Sequence, residues 1–306
     1  MLGIVKLVKT KCVYELRELY ALVKYPFVKD ALIARLSKSI PCVQLETTNI
    51  CNANCVFCAY QYQQRPTGVM SMELFKKVID EYVEFGGGPI CLTPTVGEPL
   101  VDPHLLERIQ YARSHPKITG VGMHTNMILL EKPSADALVK SGLTVLTVST
   151  SGFSEAMYQR VYRSNAYQKV LRNIKDFLRA NEAAGNPVDF RIAMRVDRPL
   201  REVFQNKDYQ DIARRVPTNK IDASFAYDSW AGKITEDQLS GNMKLRKPNP
   251  LRRPRISPCS VMLSGPIVYW DGKVGACGCR DVDARELIIG NANQERITDI
   301  WFGSKI

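Results

Sequence analysis

The sequence predicts an α/β protein in which strand–helix repeats build a parallel sheet, followed by a small C-terminal β-hairpin unit. Two observations support this prediction. First, short apolar runs alternate with segments of helical periodicity across residues 41–227, giving six βα-type repeats. Second, Asp271 and Gly272 form a hairpin-turn dipeptide between two short strand-like runs, residues 268–270 and 273–274. The repeats should be joined by right-handed crossovers, with the helices covering the sheet.

The predicted elements follow each other in a regular order. Each strand is a short run rich in β-branched and apolar residues, as in strands buried within a parallel sheet. The strands are expected at residues 43–47, 90–95, 118–125, 143–150, 188–196 and 221–226. The helices between them begin at capping residues or prolines and end at glycines or before prolines. They are expected at residues 71–86, 102–115, 133–142, 167–184 and 208–215.

Three further segments flank the repeats at residues 41–227. Residues 1–40 are basic and carry apolar residues at helical spacing, so an N-terminal helical segment is expected. Packing of this segment against the core is favoured over a helix lying on a membrane surface. Residues 228–258 are expected to form a basic, proline-rich linker, and residues 259–306 a C-terminal module.

Composition limits the class of protein. The 306 residues suffice for one large domain, or for a domain with a smaller module. No apolar run approaches the length of a membrane span, and no secretory signal is visible at the N-terminus. The nine cysteines are clustered at uneven spacings, which favours metal binding in a reducing compartment over a disulfide framework. A cytoplasmic protein is therefore expected.

The net charge of +11 is unevenly distributed. Between Met243 and Pro258 the chain carries six basic residues and no acid, with prolines that keep it extended. Aromatic residues do not alternate with these charges, so nucleic-acid binding is not expected. The stretch is either a solvated linker or a basic rim. Such a rim would bind an anionic substrate or an acidic electron donor such as flavodoxin or ferredoxin.

Cys51, Cys55 and Cys58 form the most informative motif, with the spacing C-x3-C-x2-C. Three thiolates this close in sequence can surround one soft-metal centre, either an iron–sulfur cluster or zinc. A zinc site requires four ligands, and no fourth Cys or His lies nearby. A 4Fe–4S cluster held by three thiolates keeps one iron open for a small molecule. A structural metal knuckle remains the alternative.

This run resembles the cluster motif of the radical S-adenosylmethionine (radical SAM) enzymes. The resemblance implies a partial (β/α)6 barrel and a 4Fe–4S cluster on Cys51, Cys55 and Cys58, whose open iron chelates the SAM amine and carboxylate. It also implies that Phe57 lies beside the adenine. Because the motif directly follows the first strand, it should lie at the carboxyl-terminal end of the barrel, where active sites of such barrels occur.

Gly97, Glu98 and Pro99 follow the second predicted strand. Glycine allows close backbone approach, and a carboxylate can accept hydrogen bonds from an ammonium group. The run resembles the GGEP motif that contacts the SAM amino group in this family, with Val96 in place of the first glycine.

Three polar residues near the ends of later strands complete the candidate SAM site. By the same resemblance, Asn126 would face the cofactor, Ser149 would lie near the SAM carboxylate or ribose, and Arg195 would contact the carboxylate. The alternative for each is a polar strand end that satisfies loop amides.

A second cysteine set comprises Cys259, Cys277 and Cys279. The pattern C-x12-G-x4-C from Cys259 through Gly272 resembles the opening of a SPASM or twitch module, in which a hairpin supplies thiolates to an auxiliary iron–sulfur cluster. Residues 289–291 and 297–301 also match the segments that usually come after that hairpin. Asp281, substrate, water or a more distant residue would complete the ligands. A zinc ribbon is the alternative.

The resemblance implies an enzyme that cleaves SAM reductively to a 5′-deoxyadenosyl radical and abstracts hydrogen from its substrate. Residues 1–40 show no winged-helix pattern for leader-peptide recognition. A small polar substrate of the sugar or alcohol type, oxidised or epimerised, is therefore expected. Two alternatives stay open: a peptide-modifying maturase, and a non-catalytic interaction protein that binds iron–sulfur or zinc.

Overall fold

The computed structural model describes residues 38–93, 95–246, 262–277 and 281–303, together with Phe27 and Ala31. Most of the predicted N-terminal helical segment lies outside the described residues. So do residues 247–258 of the basic stretch, and Cys259 and Cys279 of the second cysteine set.

Six parallel strands follow one another across one sheet in the order of the sequence. Each is hydrogen-bonded to the next, with Val43 opposite Ile90 and Ser151 opposite Arg195. The strands are β1 (Val43–Leu45), β2 (Pro89–Cys91), β3 (Gly120–Thr125), β4 (Val145–Ser151), β5 (Asp189–Arg195) and β6 (Ile221–Ser224). The predicted α/β class with six strand–helix repeats is confirmed.

Helices connect the strands and bury their apolar faces against the sheet. The first, for example, buries Phe75, Val78 and Ile79, and its N-terminus is capped by the Ser71 side chain, which accepts from Leu74 N at 3.1 Å. The helices are α1 (Met72–Glu84), α2 (Leu105–Ser114), α3 (Ala135–Lys140), α4 (Glu155–Tyr162), α5 (Tyr167–Ala183), α6 (Leu200–Gln205), α7 (Lys207–Ala213) and α8 (Ile297–Trp301).

Three helices differ from the sequence expectation. The helix expected from residue 102 begins instead at Leu105, because the Asp102 carboxylate accepts hydrogen bonds from His104 N (2.9 Å) and from the buried Arg108 side chain (2.8 Å). Helix α4 was not predicted at all. It is short and rich in polar residues, with neither proline nor glycine at its ends. Helix α6 was not predicted either.

The C-terminal hairpin extends the barrel sheet. Its strands are β9 (Ile267–Val268), β10 (Lys273–Gly275) and β11 (Ile288–Asn291). Strand β9 pairs in parallel with β1, and the other two strands add antiparallel beyond it. The hairpin turn passes through Gly272 at φ +88°, a conformation that glycine adopts without steric cost.

The segment after β6 folds back on the barrel. Strands β7 (Ala226–Tyr227) and β8 (Lys244–Leu245) form a second, two-stranded parallel sheet. Between them, Ser240 Oγ donates to Asp197 Oδ2 at 2.8 Å, and the same carboxylate accepts from Arg160 on α4. The described part of the predicted linker is therefore ordered against the barrel. No helix within the described ranges is both long and apolar enough to cross a membrane.

Candidate active site

Asn49 lies two residues before the cysteine loop (residues 51–58) and holds the start of that loop in place. The Asn49 side chain is fully buried and accepts from Gly68 N at 2.8 Å. Its amide nitrogen donates to Pro66 O (2.9 Å) and to Gln63 Oε1 (3.1 Å). One asparagine therefore closes the base of the loop, which leads from the end of β1 as predicted.

The loop itself is fixed by a turn and by a contact with α4. Cys58 N donates to Cys55 O at 3.2 Å, and a short 3-10 helix, Ala59–Tyr62, follows. Val56 N donates to Val161 O at 3.0 Å, which ties the centre of the loop to the last turn of α4. This helix was missed in the sequence, although it bears directly on the cysteine loop.

The three thiols share a partly buried, low-dielectric position. Burial raises the pKa of Cys51 to about 12. Burial also raises the pKa of Cys55, and the neighbouring Cys58 and Cys51 raise it further. Arg195 acts in the opposite direction on the pKa of Cys55 and Cys58. Bound iron, a much stronger local positive charge, would favour the thiolates.

The chemistry of the three thiols suits an iron–sulfur cluster. Across the described ranges, no three His, Cys, Asp or Glu side chains are arranged to hold one metal ion. The three thiols are nevertheless close enough to influence one another's pKa. Thiolates of an iron–sulfur cluster each bind a different iron, so they need to be neighbours without converging on one point. Cys51, Cys55 and Cys58 therefore fit the 4Fe–4S cluster.

Glu98 is buried, and its carboxylate is fully engaged inside the protein. Oε1 accepts from Thr125 Oγ1 at 2.6 Å and from Leu100 N at 3.1 Å, and Oε2 accepts from Asn126 N at 2.7 Å. Burial outweighs these three donors and raises its pKa to about 7. The Glu98 carboxylate therefore connects the loop after β2 to the end of β3.

Gly97 and Pro99 complete that loop. Gly97 has φ +118°, and a Cβ there would lie 2.2 Å from Thr48 O, so only glycine fits. Pro99 opens a short 3-10 helix, and Glu98 N donates to Ile50 O at 2.9 Å. The loop thus lies directly against the entry to the cysteine loop.

Asn126 connects the end of β3 to the cysteine loop. Its amide nitrogen donates to Asn52 Oδ1 at 2.7 Å and contacts Cys51 Sγ at 3.9 Å, while its Oδ1 accepts from Ile128 N. Glu98 and Asn126 therefore form one hydrogen-bonded path to Cys51.

Phe57, Ser149 and Arg195 lie together on the other side of the loop. The Phe57 ring stacks on Tyr227 at 5.4 Å between centroids, and the Arg195 guanidinium lies 5.5 Å from the Phe57 centroid. Ser149 Oγ is hydrogen-bonded to Tyr162 Oη at 2.9 Å. Arg195 Nε is buried, with no hydrogen-bond partner among the described residues, so it can still take one.

Trp230 is a site residue that the sequence did not reveal. Its indole nitrogen donates to Phe57 O at 3.1 Å, and its side chain packs against the buried cluster of Ala59, Val96 and Val282. Its φ is +50°, an uncommon conformation for a bulky residue. No local sequence signal marks it, because the contact joins residues far apart in the chain.

Of the second cysteine set, the structure describes Cys277, which is buried beyond β10. Asp281, one of the candidate fourth ligands, is engaged otherwise. Its carboxylate accepts from Arg285 N (2.9 Å) and Leu287 N (2.9 Å), and so closes the turn that leads into β11. Asp281 is therefore a turn-stabilising residue in this structure.

A cleft of about 410 Å³ opens beside the cysteine loop. Its lining is polar and consists of Gln61, Tyr62, Gln63, Gln64 and Lys233. Gln61 also donates to Cys58 O at 3.3 Å, which joins the cleft to the loop. The Lys233 ammonium is paired with Asp283 of the C-terminal hairpin unit at 2.8 Å, so the cleft lies where barrel and C-terminal unit meet.

Glu98 should make the stability of the metal-free protein depend on pH. Its pKa rises from an ordinary 4.5 to about 7, so the folded state binds the proton more tightly than the unfolded state. This contribution to stability is complete below about pH 4.5 and is lost as pH rises through about 7. Glu98→Gln should therefore flatten the dependence of the melting temperature on pH in that window.

The exposed Glu107→Gln provides the matched control, which should keep the wild-type slope. Some slope should remain in Glu98→Gln, because the pKa of buried Glu46 is also raised to about 7. Identical curves for wild type and Glu98→Gln would contradict the raised pKa of Glu98.

Comparison with protein families gives two matches. Residues 45–186 match the model of the radical SAM superfamily, and residues 259–306 match SPASM, an iron–sulfur cluster-binding domain. The two stretches together span more than half of the chain, and the first contains the cysteine loop, the Gly97–Pro99 segment, Asn126 and Ser149.

Curated relatives match over part of their length. A GTP 3′,8-cyclase of Petrotoga mobilis is 26% identical over 160 residues, covering 51% of this chain and 48% of the relative. A mycofactocin maturase of Mycobacterium ulcerans is 28% identical over 181 residues, covering 57% of this chain and 44% of the relative. The chain thus spans about half the length of the curated relatives it matches.

Solved structures share the fold. SuiB of Streptococcus suis bound to the precursor peptide SuiA aligns with TM-score 0.64 at 15% identity, over 92% of this chain and 70% of SuiB. BtrN in complex with AdoMet and 2-DOIA aligns with TM-score 0.55 at 18% identity, over 87% of this chain and 83% of BtrN. At these identities the likeness extends to the fold alone, and it confirms the partial barrel with additional C-terminal strands.

Proposed function

We propose that this chain, which belongs to the radical SAM superfamily and carries a C-terminal SPASM module, oxidises or epimerises a small polar substrate of the sugar or alcohol type. Its cofactors are a 4Fe–4S cluster, SAM and an auxiliary iron–sulfur cluster. When bound, the first cluster and SAM supply a 5′-deoxyadenosyl radical that abstracts a hydrogen atom from the substrate. The polypeptide supplies binding, orientation and exclusion of water.

The cleft beside the cysteine loop supports this substrate class. Three of its five lining residues are glutamines, whose amides both donate and accept hydrogen bonds. Among the described residues that line the cleft, Lys233 alone is charged, and Asp283 neutralises it. An amide-lined, nearly neutral cleft suits a ligand rich in hydroxyl groups better than one that carries several charges.

The residues of the barrel end divide into two groups. In this proposal, Cys51, Cys55 and Cys58 hold the cluster. Phe57, Asn126, Ser149, Arg195 and the backbone of residues 97–99 would contact SAM. The buried, unpartnered Nε of Arg195 is suited to the SAM carboxylate.

Peptide modification is the second candidate. SuiB binds a precursor peptide in its crystal structure, and the mycofactocin maturase is named for maturation. The names of the GTP 3′,8-cyclases and of the BtrN complex with 2-DOIA refer instead to small molecules. The cleft is open to solvent, so an extended segment would also have access. An acidic flavodoxin or ferredoxin docking on the basic stretch stays part of the proposal, although residues 247–258 lie outside the described residues.

One experiment separates these functions. The protein is reconstituted anaerobically and incubated with SAM, reductant and either deuterated sugars and polyols or candidate peptides. Deuterium in 5′-deoxyadenosine from a sugar or polyol is the expected result. Transfer from a peptide alone would favour the maturase. Zinc without acid-labile sulfide in the reconstituted protein would rule out both enzymes and leave an interaction protein.

A further inference from the structure

Tyr158 carries a buried hydroxyl that has no hydrogen-bond partner within the described residues. Its side chain is fully inaccessible to solvent. Leaving a buried hydroxyl unpaired destabilises the folded state, and such groups in native proteins usually have a specific explanation. An acceptor that arrives with a cofactor would satisfy it.

The contacts of Tyr158 lead to the cysteine loop. Its ring stacks on Tyr162, one turn later on α4, with centroids 4.7 Å apart and planes 5° apart. Tyr162 in turn contacts the edge of Phe57 at 5.5 Å. Because Val56 N is bonded to Val161 O, this face of α4 is fixed against the cysteine loop.

The charges around the hydroxyl favour its role as a donor. Burial raises the pKa of Tyr158, and negative charge on Cys55, Glu98 and Cys51 raises it further, in that order. A phenol keeps its proton at neutral pH, so the buried hydroxyl is available as a donor. Tyr162 differs, because its hydroxyl is already bonded to Ser149.

We propose that the Tyr158 hydroxyl donates a hydrogen bond to a sulfur of the cluster held by Cys51, Cys55 and Cys58, which makes that cluster easier to reduce. Hydrogen bonds to sulfur are among the factors that set the reduction potential of iron–sulfur clusters. A donor stabilises the additional negative charge of the reduced cluster more than it stabilises the oxidised cluster. The inference rests on the proposed function.

Tyr158→Phe tests this by removing one oxygen atom and keeping the ring stack. The midpoint potential of the first cluster, followed by electron paramagnetic resonance without SAM, should become more negative. The melting temperature of the metal-free protein should stay equal or rise, because an unpaired buried hydroxyl has been removed. A purely structural role would instead lower the melting temperature and leave the potential unchanged.

Tyr167→Phe is the matched control. Tyr167 also packs near Tyr158, with centroids 6.0 Å apart and planes tilted by 53°, but its hydroxyl is bonded to Asp208 at 2.7 Å. Tyr167→Phe should lower the melting temperature without changing the midpoint potential of the first cluster.

An unchanged potential in Tyr158→Phe, with the cluster signal intact, would overturn the hydrogen bond and leave the proposed function standing. A shift that appears only after SAM is added would also overturn it, because the acceptor would then be SAM. Wild-type protein without a cluster signal would overturn both.

Discussion

Replacing Cys55 by alanine is expected to abolish the formation of 5′-deoxyadenosine from SAM. Cys55 is the central thiol of the set, and its pKa responds to both Cys51 and Cys58. Loss of one of three ligands should destabilise the cluster or change its open iron. The product is measured by chromatography after anaerobic incubation with dithionite, alongside iron and sulfide content. Iron should fall by about one cluster's content, while the auxiliary cluster remains.

Cys91→Ala is the control for nonspecific loss of a thiol. Cys91 ends β2, and its thiol contacts Thr93 O at 3.8 Å instead of joining the cysteine loop. This variant should keep both clusters and SAM cleavage. Normal 5′-deoxyadenosine formation in Cys55→Ala would show that the reactive cluster is held elsewhere.

Replacing Arg65 by methionine is expected to destabilise the metal-free protein by about 3–5 kcal/mol, the usual loss when one partner of a buried ion pair is removed. Arg65 donates to both oxygens of Glu46, at 2.6 and 2.5 Å, and to Val282 O at 2.8 Å. Both side chains are almost fully buried. The variant would leave the Glu46 carboxyl without its partner. The resulting loss in the free energy of unfolding is measured by urea denaturation.

Two further variants test whether the unpaired acid causes the loss. Glu46→Leu combined with Arg65→Met should recover much of the stability, since neither partner is then left alone. Lys76→Met removes a long, exposed pair with Glu107 (3.9 Å) and should change stability by less than about 1 kcal/mol. If Arg65→Met lost no more stability than Lys76→Met, the buried pair of Arg65 and Glu46 would contribute no more to folding than an exposed pair.

The elements predicted from the sequence are those with local signals. The alternation of strands and helices, the cap at Ser71 and the hairpin glycine at position 272 each depend on residues close in sequence. The cysteine spacing likewise carries the family resemblance that implied the cofactors. Helix α4 lacked such signals, although it packs Tyr158 and Tyr162 beside the cysteine loop.

Contacts between segments that are distant in the chain could not be predicted from the sequence. Glu98 was predicted as a SAM contact from its motif, but its three donors come from the loop it begins and from the end of β3. Trp230 reaches Phe57 across most of the barrel sequence. Such pairings follow from tertiary packing, which no periodicity or spacing records.

The parallel pairing of β9 with β1 bears on how the chain is made. Strand β1 is among the first parts of the barrel to be synthesised, but its neighbour β9 comes from near the other end of the sequence. Until β9 arrives, one edge of β1 has unpaired backbone groups, which are a template for pairing with another chain. Contacts this distant in sequence also slow folding. The nascent barrel should therefore be most prone to aggregation just before the C-terminal hairpin leaves the ribosome.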